Sequence, residues 1–132
     1  MEQISVLVGL LSCLMMSTAV ESAQCNLQGQ WMSDLGSRMT LSVVTGSGLF
    51  TGSYETAVST TNNTTVESPL IGFQQLNDSP TFGFTVKWAF TTFISVYTGQ
   101  CFLSNTGKPI LQTNWLLRSQ SDGIKGNWRK TR

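Results

Sequence analysis

Aromatic rings and hydroxyl groups share the same faces of two alternating runs within residues 81–102, and together they could hold a small ligand. The alternate residues of the first run are Phe82, Phe84, Val86, Trp88 and Phe90. Those of the second run are Phe93, Ser95 and Tyr97. Alternation over this length is the period of a β-strand with one buried face. A buried face that mixes rings with hydroxyls suits a cavity that binds apolar surface and also hydrogen bonds to something.

The composition argues against catalysis. The sequence contains no histidine, so the commonest general base and the commonest metal ligand are missing. We also find no paired carboxylates on one predicted strand face, no metal-ligand spacing and no phosphate-binding glycine loop. The net charge of +1 and the scattered basic residues give no footprint for nucleic acid. We therefore expect a binding protein that is not an enzyme and binds neither metal nor nucleic acid.

The elements that would position these side chains are short strands joined by turns. Charged residues make up 11% of the sequence, against roughly 25% in ordinary globular proteins, and Thr, Ser, Gly and Asn replace them. The predicted strands are 28–34, 39–44, 49–58, 68–75, 81–90, 93–102 and 109–118. Their order predicts an all-β, antiparallel up-and-down β-barrel. Closure needs an eighth strand, and the residues after Arg118 predict a loop, so we expect seven of eight strands and an open edge.

The N-terminal segment predicts a signal peptide. Residues 4–16 are apolar but too few to span a membrane, and the small residues Ser17 and Ala19 follow. We expect residues 1–19 to be removed, with cleavage possible as late as Ala23, and residues 24–132 to form the barrel domain. The acidic Glu2 is atypical of such a segment, and a buried helix is the alternative. No other apolar stretch approaches 20 residues, so we expect a secreted protein that is not bound to a membrane.

Cysteine usage agrees with secretion. Removal of the leader removes Cys13 and leaves Cys25 and Cys101, and an even pair in a secreted chain is most simply a disulfide. A catalytic thiol is the weaker alternative, because the sequence offers no histidine to activate it. The Thr- and Asn-rich loop that follows the third strand carries overlapping glycosylation sequons at Asn62 and Asn63.

Several segments, in order, resemble the avidin family. They are CNLQGQW (25–31), DLGS (34–37), FTGSY (50–54), ESPL (67–70), PTFGFTVKW (80–88), YTGQCF (97–102) and NWLLR (114–118). The resemblance runs from Cys25 to Arg132. It implies an eight-stranded barrel, assembly as a homotetramer and a biotin site in the mouth of each barrel.

The resemblance also implies roles for individual residues. Ser37 and Tyr54 would donate hydrogen bonds to the ureido oxygen of biotin, and Thr56 would accept one from a ureido N–H. Ser95 would face the sulfur. The walls of the ring site would be Trp88, Phe90, Tyr97 and Trp115. The carboxylate would meet Ser59, Thr60, Thr61 and Thr91. Leu35, Val58 and Leu117 would complete the lining. Trp128 would cover the site of a neighbouring subunit.

Three departures from the family pattern predict weaker binding than the family's best. One is the missing last strand, which in the family carries an asparagine that accepts a hydrogen bond from a ureido N–H; the other two are substitutions. Ser33 stands where the family has an asparagine that donates a third hydrogen bond to the ureido oxygen. Loss of one such donor costs roughly 1–3 kcal/mol, or one to two decades of affinity. Phe93 replaces a serine near the carboxylate and exchanges a hydrogen bond for bulk.

Three functions are therefore weighed. The leading hypothesis is a secreted protein that sequesters biotin. A lipocalin-like carrier of another small ligand is an alternative, because Gly29 and Trp31 form a pair that also occurs in lipocalins. A structural or egg-coat protein that has lost binding is a third, compatible with the expected open edge. The hydroxyls of Ser37, Tyr54 and Ser95 favour a ligand with a polar head group over a fatty one.

Overall fold

A closed sheet of antiparallel strands forms the described part of the protein. The computed structural model describes residues 2–6, 24–57 and 65–132. The strands are β1 Glu2–Val6, β2 Gly29–Ser33, β3 Arg38–Leu41, β4 Leu49–Ala57, β5 Thr65–Gln74, β6 Thr81–Lys87, β7 Ile94–Leu103 and β8 Pro109–Arg118, followed by a 3-10 helix, Ile124–Arg129. Each strand pairs with the next, and β1 also pairs with β8, so the sheet closes into a barrel. The predicted all-β, antiparallel up-and-down fold is confirmed.

The eighth strand comes from the N-terminal segment, and here the structure differs from the expected open edge. In β1, Glu2 and Ile4 are buried whereas Gln3 is exposed, which is the alternation of a strand with one inward face. Ile4 lies opposite Ser33 of β2 and Leu111 of β8. The Gln3 amide donates to Asp34 Oδ2 at 3.2 Å, and the Asp34 amide donates to the Gln3 carbonyl at 2.9 Å. Both sides of β1 are therefore hydrogen bonded.

Strand β6 ends earlier than the alternation of residues 81–90 predicted. It stops at Lys87, because the backbone that follows hydrogen bonds outside the sheet. The Ala89 amide donates to the Ser68 hydroxyl at 3.0 Å instead of to a carbonyl of β7. Trp88 and Phe90 consequently lie in the connection to β7, at the end of the barrel that carries the β2–β3 turn.

Buried side chains fill the opposite end of the barrel. Trp31 is fully buried, and its indole N–H donates to the Leu27 carbonyl at 2.8 Å. Cys25 and Cys101 form the predicted disulfide, with Cα atoms 5.8 Å apart, and it ties the segment before β2 to β7. No helix in the three described ranges is long and apolar enough to cross a membrane.

Candidate ligand-binding site

The barrel encloses a cavity of about 270 Å³ near the β2–β3 turn, called here the mouth cavity. Its volume lies close to the lower end of the ~300–1,000 Å³ range of small-molecule sites. The sequence-predicted residues that line it are Leu35, Ser37, Tyr54, Thr56, Trp88, Phe90, Thr91, Phe93, Ser95, Tyr97, Trp115 and Leu117. The structure thus brings together residues from the β2–β3 turn, β4, the β6–β7 connection, β7 and β8.

The β2–β3 turn sets the position of Ser37. Gly36 adopts a positive φ of 87°, which a residue without Cβ reaches at little cost. Its amide donates to the Ser33 carbonyl at 3.0 Å, and the Ser33 amide donates to the Ser37 carbonyl at 2.8 Å. This closed turn directs residue 37 to the cavity and leaves the Leu35 side chain 76% exposed at the rim.

Aromatic side chains form a continuous wall around the mouth cavity. The Tyr97 ring lies between the Phe84 ring, 4.7 Å away, and the Trp115 ring, 6.2 Å away. The Tyr54 ring lies 5.7 Å from the Tyr97 ring and meets the Trp88 ring edge-on at 5.5 Å and 85°. Offset and edge-on arrangements are the favoured ones for aromatic pairs. The wall is therefore stabilised by contacts between its own rings.

Polar atoms are few and fixed. The Trp88 indole N–H donates to the Ser95 hydroxyl at 2.9 Å, which fixes the ring and leaves the hydroxyl's own proton to donate elsewhere. The Thr56 hydroxyl oxygen is buried and has no hydrogen-bond partner among the described residues. Since a buried polar group without a partner is costly, Thr56 is ready to bond to a ligand.

The two phenols of the cavity are neutral at ordinary pH. Burial raises the pKa of Tyr54 above its usual value near 10, and hydrogen bonding with Tyr97 and Ser37 opposes the rise. Burial also raises the pKa of Tyr97, and the neighbouring Tyr54 raises it further. Both hydroxyls therefore keep their protons and can act as donors.

Some predicted site residues do not line the mouth cavity. Ser33 is buried, but its hydroxyl oxygen accepts from the amides of Leu35 at 3.2 Å and Ser37 at 3.1 Å. Trp128 lies in the 3-10 helix and is 74% exposed, with the Arg129 guanidinium 5.0 Å from its ring. The predicted residues outside the described ranges are Val58, Ser59, Thr60 and Thr61, together with the sequons at Asn62 and Asn63.

Glu2 lines the mouth cavity, and sequence reasoning missed it. The apolar run after it predicted a removable leader, so its position within a strand was not considered. The available signal was the alternation of Glu2, Ile4 and Val6 with Gln3 and Ser5. Within the part of the chain that the structure covers, no three His, Cys, Asp or Glu side chains gather as metal ligands would.

The closed barrel with an aromatic, hydroxyl-lined cavity at its mouth has the architecture of the β-barrel proteins that bind small ligands. The Avidin family model matches residues 21–132. Avidin of Gallus gallus is 46% identical over 126 residues, covering 93% of this chain and 83% of avidin. The Gallus gallus avidin-related protein 4/5 is 44% identical over 124 residues, with the same coverage. The chain belongs to the avidin family, as the sequence segments indicated.

Solved structures agree with this assignment. The crystal structure of Xenavidin is 54% identical and superposes with a TM-score of 0.76, covering 83% of this chain and 92% of that one. The structure of a biotin binding protein from chicken is 46% identical, with a TM-score of 0.75 and the same coverage. Avidin family proteins bind biotin without transforming it, so this chain is not an enzyme. The family match begins at residue 21, and β1 lies outside it.

Proposed function

We propose that this protein binds biotin in the mouth cavity and sequesters it unchanged. The observation that carries the proposal is the pairing of neutral, buried hydroxyls with a rigid aromatic wall in one small cavity. Biotin offers a polar cyclic urea, a thioether ring and an acid tail, which match these two kinds of surface. Family membership supports avidin-type binding over the lipocalin-like alternative.

The polar head of biotin would bind deep in the cavity. Ser37 and Tyr54 would donate to the ureido oxygen, and the unpartnered Thr56 hydroxyl would accept from a ureido N–H. Ser95, held by the Trp88 indole at 2.9 Å, would face the sulfur. Trp88, Phe90, Tyr97 and Trp115 would enclose the bicyclic ring. Ser33 would donate its hydroxyl proton to the ureido oxygen, because its oxygen already accepts from two amides.

The acid tail would leave through the mouth. Thr91 and Phe93 line this exit, and Ser59, Thr60 and Thr61 of the β4–β5 loop would complete the carboxylate contacts. Val58, Leu35 and Leu117 would border the tail. Phe93 brings bulk where a hydroxyl would bond to the carboxylate. For this reason, and because Ser33 is a short donor, we expect an affinity below the family's best.

A fluorescence titration tests the proposal. Trp88 and Trp115 line the cavity, so biotin should change tryptophan emission in a saturable way. The variant Tyr54→Phe removes one buried donor and should weaken binding roughly 5- to 100-fold, the effect of about 1–3 kcal/mol. The matched control is Ser53→Ala, which removes a hydroxyl from the next position of β4. Absence of saturable binding by the folded wild type would favour the structural or egg-coat alternative and reject the proposal.

Assembly as a homotetramer is part of the proposal. Strand register places Ile71, Thr85, Val96 and Leu116 in one row across β5, β6, β7 and β8. In this row Ile71 is 54% and Leu116 52% exposed, on the outside of the barrel. Such an apolar band supports subunit contact. The exposed Trp128 ring would then reach the mouth cavity of a neighbouring subunit.

Secretion is supported by the Cys25–Cys101 disulfide, since such bonds persist in oxidising compartments. We propose export directed by residues 1–19, and glycosylation at Asn62 or Asn63. Mass measurement of the exported protein, before and after enzymatic removal of N-linked glycans, tests both points. An unchanged mass after that treatment would reject glycosylation, and retention inside the producing cell would reject export.

A further inference from the structure

The exit of the mouth cavity is apolar and lacks a positive charge. Four lining residues lie where the cavity opens, and they are called here the exit rim: Leu35 in the β2–β3 turn, Phe90 in the β6–β7 connection, Phe93 just before β7 and Leu117 near the end of β8. Leu35 is 76% and Phe90 44% exposed. Among the described residues that line the cavity there is no Lys or Arg.

The basic residues nearest to the exit rim along the strands point away from the cavity. Lys87 lies opposite Ile94, and Ile94 lies opposite Arg118. Ile94 is 37% exposed on the outer face of β7, so this row of residues lies outside the barrel. The Arg118 guanidinium also donates to the Thr131 hydroxyl at 3.2 Å. Arg38 of β3 is likewise exposed. None of these three cations therefore faces an anion held in the cavity.

Phe93 lies where the tail of a bound ligand would pass. It comes two residues before Ser95 on the same inward face, and it lines the cavity. Ser95 is 1% exposed whereas Phe93 is half-buried, so Phe93 lies nearer to solvent. The Trp88 ring, bonded to Ser95, contacts the Phe90 ring at 5.7 Å between centroids. Hydroxyls thus lie deep in the cavity, and rings that offer no hydrogen bond follow toward the exit.

A carboxylate in this exit would lose free energy that a neutral amide keeps. An anion loses more hydration than a neutral group when apolar side chains cover it, and no cation of the described cavity lining compensates for that loss. The donors left for the tail are hydroxyls, and residues 58–64 of the β4–β5 loop contain neither Lys nor Arg. Because a hydroxyl can donate to an amide oxygen as well as to a carboxylate, these donors recover only part of the difference.

We propose that the exit rim, through Phe93 above all, selects biotin whose carboxyl group is joined in a neutral amide over biotin as the free acid. The inference rests on the proposed function and names the class of ligand that the site takes. Such a ligand is biotin attached by its tail to an amine of another molecule. The exposed Leu35 and Phe90 side chains would then contact the apolar part of the linked tail.

Titrations with free biotin and with its N-methyl amide test the inference. The two ligands share the ureido head and the ring, so the ratio of their Kd values reports on the tail alone. At pH 7 we expect the amide to bind the wild type roughly tenfold more tightly than the acid, equivalent to about 1.4 kcal/mol. Phe93→Ser should remove this preference, because its hydroxyl donates to the carboxylate and the apolar cover is lost. Phe93→Leu should retain it. Thr92→Ala, at an exposed position, should match the wild type in both Kd values.

The pH dependence gives an independent readout. A carboxyl group titrates near pH 4.3, roughly the ordinary value for a side chain of this type. Below that pH the acid tail is neutral as well, so the preference for the amide should shrink. A structural effect of residue 93 would change both Kd values equally and leave their ratio unchanged at every pH, and that result would overturn the inference.

The remaining outcomes separate this inference from the proposed function. Equal or tighter binding of the free acid by the wild type would overturn the inference while leaving the biotin proposal standing. A preference for the acid that disappears in Arg129→Ala would also overturn it, because Arg129, next to the exposed Trp128, would then supply the missing cation from a neighbouring subunit. Absence of binding of both ligands by the folded wild type would instead reject the biotin proposal, and this inference with it.

Discussion

Ile4→Ala should destabilise the intact chain strongly, although Ile4 lies in a segment with the pattern of a leader. Ile4 is 1% exposed and packs in the same core cluster as Trp31, Met39 and Leu111. Truncation of a buried isoleucine to alanine costs about 2–5 kcal/mol, from lost transfer energy and the cavity that remains. For a domain of this size, each kcal/mol lowers the midpoint of thermal unfolding by roughly 4 °C. The expected decrease is therefore roughly 8–20 °C.

The assay is thermal unfolding of the refolded chain 1–132, followed by circular dichroism and by tryptophan fluorescence. Gln3→Ala is the control, because its side chain is exposed while its backbone makes the same bonds to Asp34. We expect this control to stay within about 0.5 kcal/mol of the wild type, as surface substitutions do. Equal midpoints for Ile4→Ala and Gln3→Ala would refute the packing of β1 in the barrel.

Three further outcomes are expected. Ser33→Asn should tighten biotin binding by roughly one to two decades. The asparagine amide oxygen can accept from the amides of Leu35 and Ser37 as the Ser33 hydroxyl does, while its NH₂ donates to the ureido oxygen. A titration with equal or weaker affinity would contradict this. Trp128→Lys should weaken both biotin binding and subunit assembly, measured by titration and sedimentation, and unchanged affinity would exclude the cross-subunit contact. The free energy of unfolding of the intact chain should fall as pH rises from about 4.5 through the raised pKa of Glu2, because the folded state binds this proton more tightly than the unfolded state. Urea titrations across that pH range measure this free energy. Glu2→Gln should lack the decrease.

Alternation predicted the inward faces well because period-2 burial is a local property of a strand. Phe82, Phe84 and Val86 are buried, as are Ser95 and Tyr97 of the next strand. The end of β6 was mispredicted, since residues 88–90 continue the apolar alternation. What ends the strand is the bond from Ala89 to Ser68, 21 residues away. No local pattern encodes such a contact, although the prediction that Trp88 and Phe90 line a cavity did not depend on it.

The candidate site shows the same division between local and distant information. Ser37 was identified through the DLGS segment, and the turn at Gly36 positions it at the cavity. Ser33 is only four residues away, yet its oxygen is occupied by two backbone amides, which residue type alone does not reveal. Glu2 was missed for a different reason: its partners Ser33 and Thr113 are distant in sequence, and the apolar run after it dominated the interpretation.

The N-terminal segment carries two competing sequence patterns, one of an export signal and one of a β-strand. Residues 4–16 as a whole have the apolar character of an export signal, whereas Glu2–Val6 alternates as a strand that pairs with both β2 and β8. A segment cannot serve both roles in one molecule, because the predicted cleavage after residue 19 would remove the strand that closes the barrel. If the strand forms first, Ile4 enters the core and Glu2 lines the cavity. If cleavage comes first, β2 and β8 lose this partner. We therefore expect the order of these two events to decide whether the barrel closes through β1.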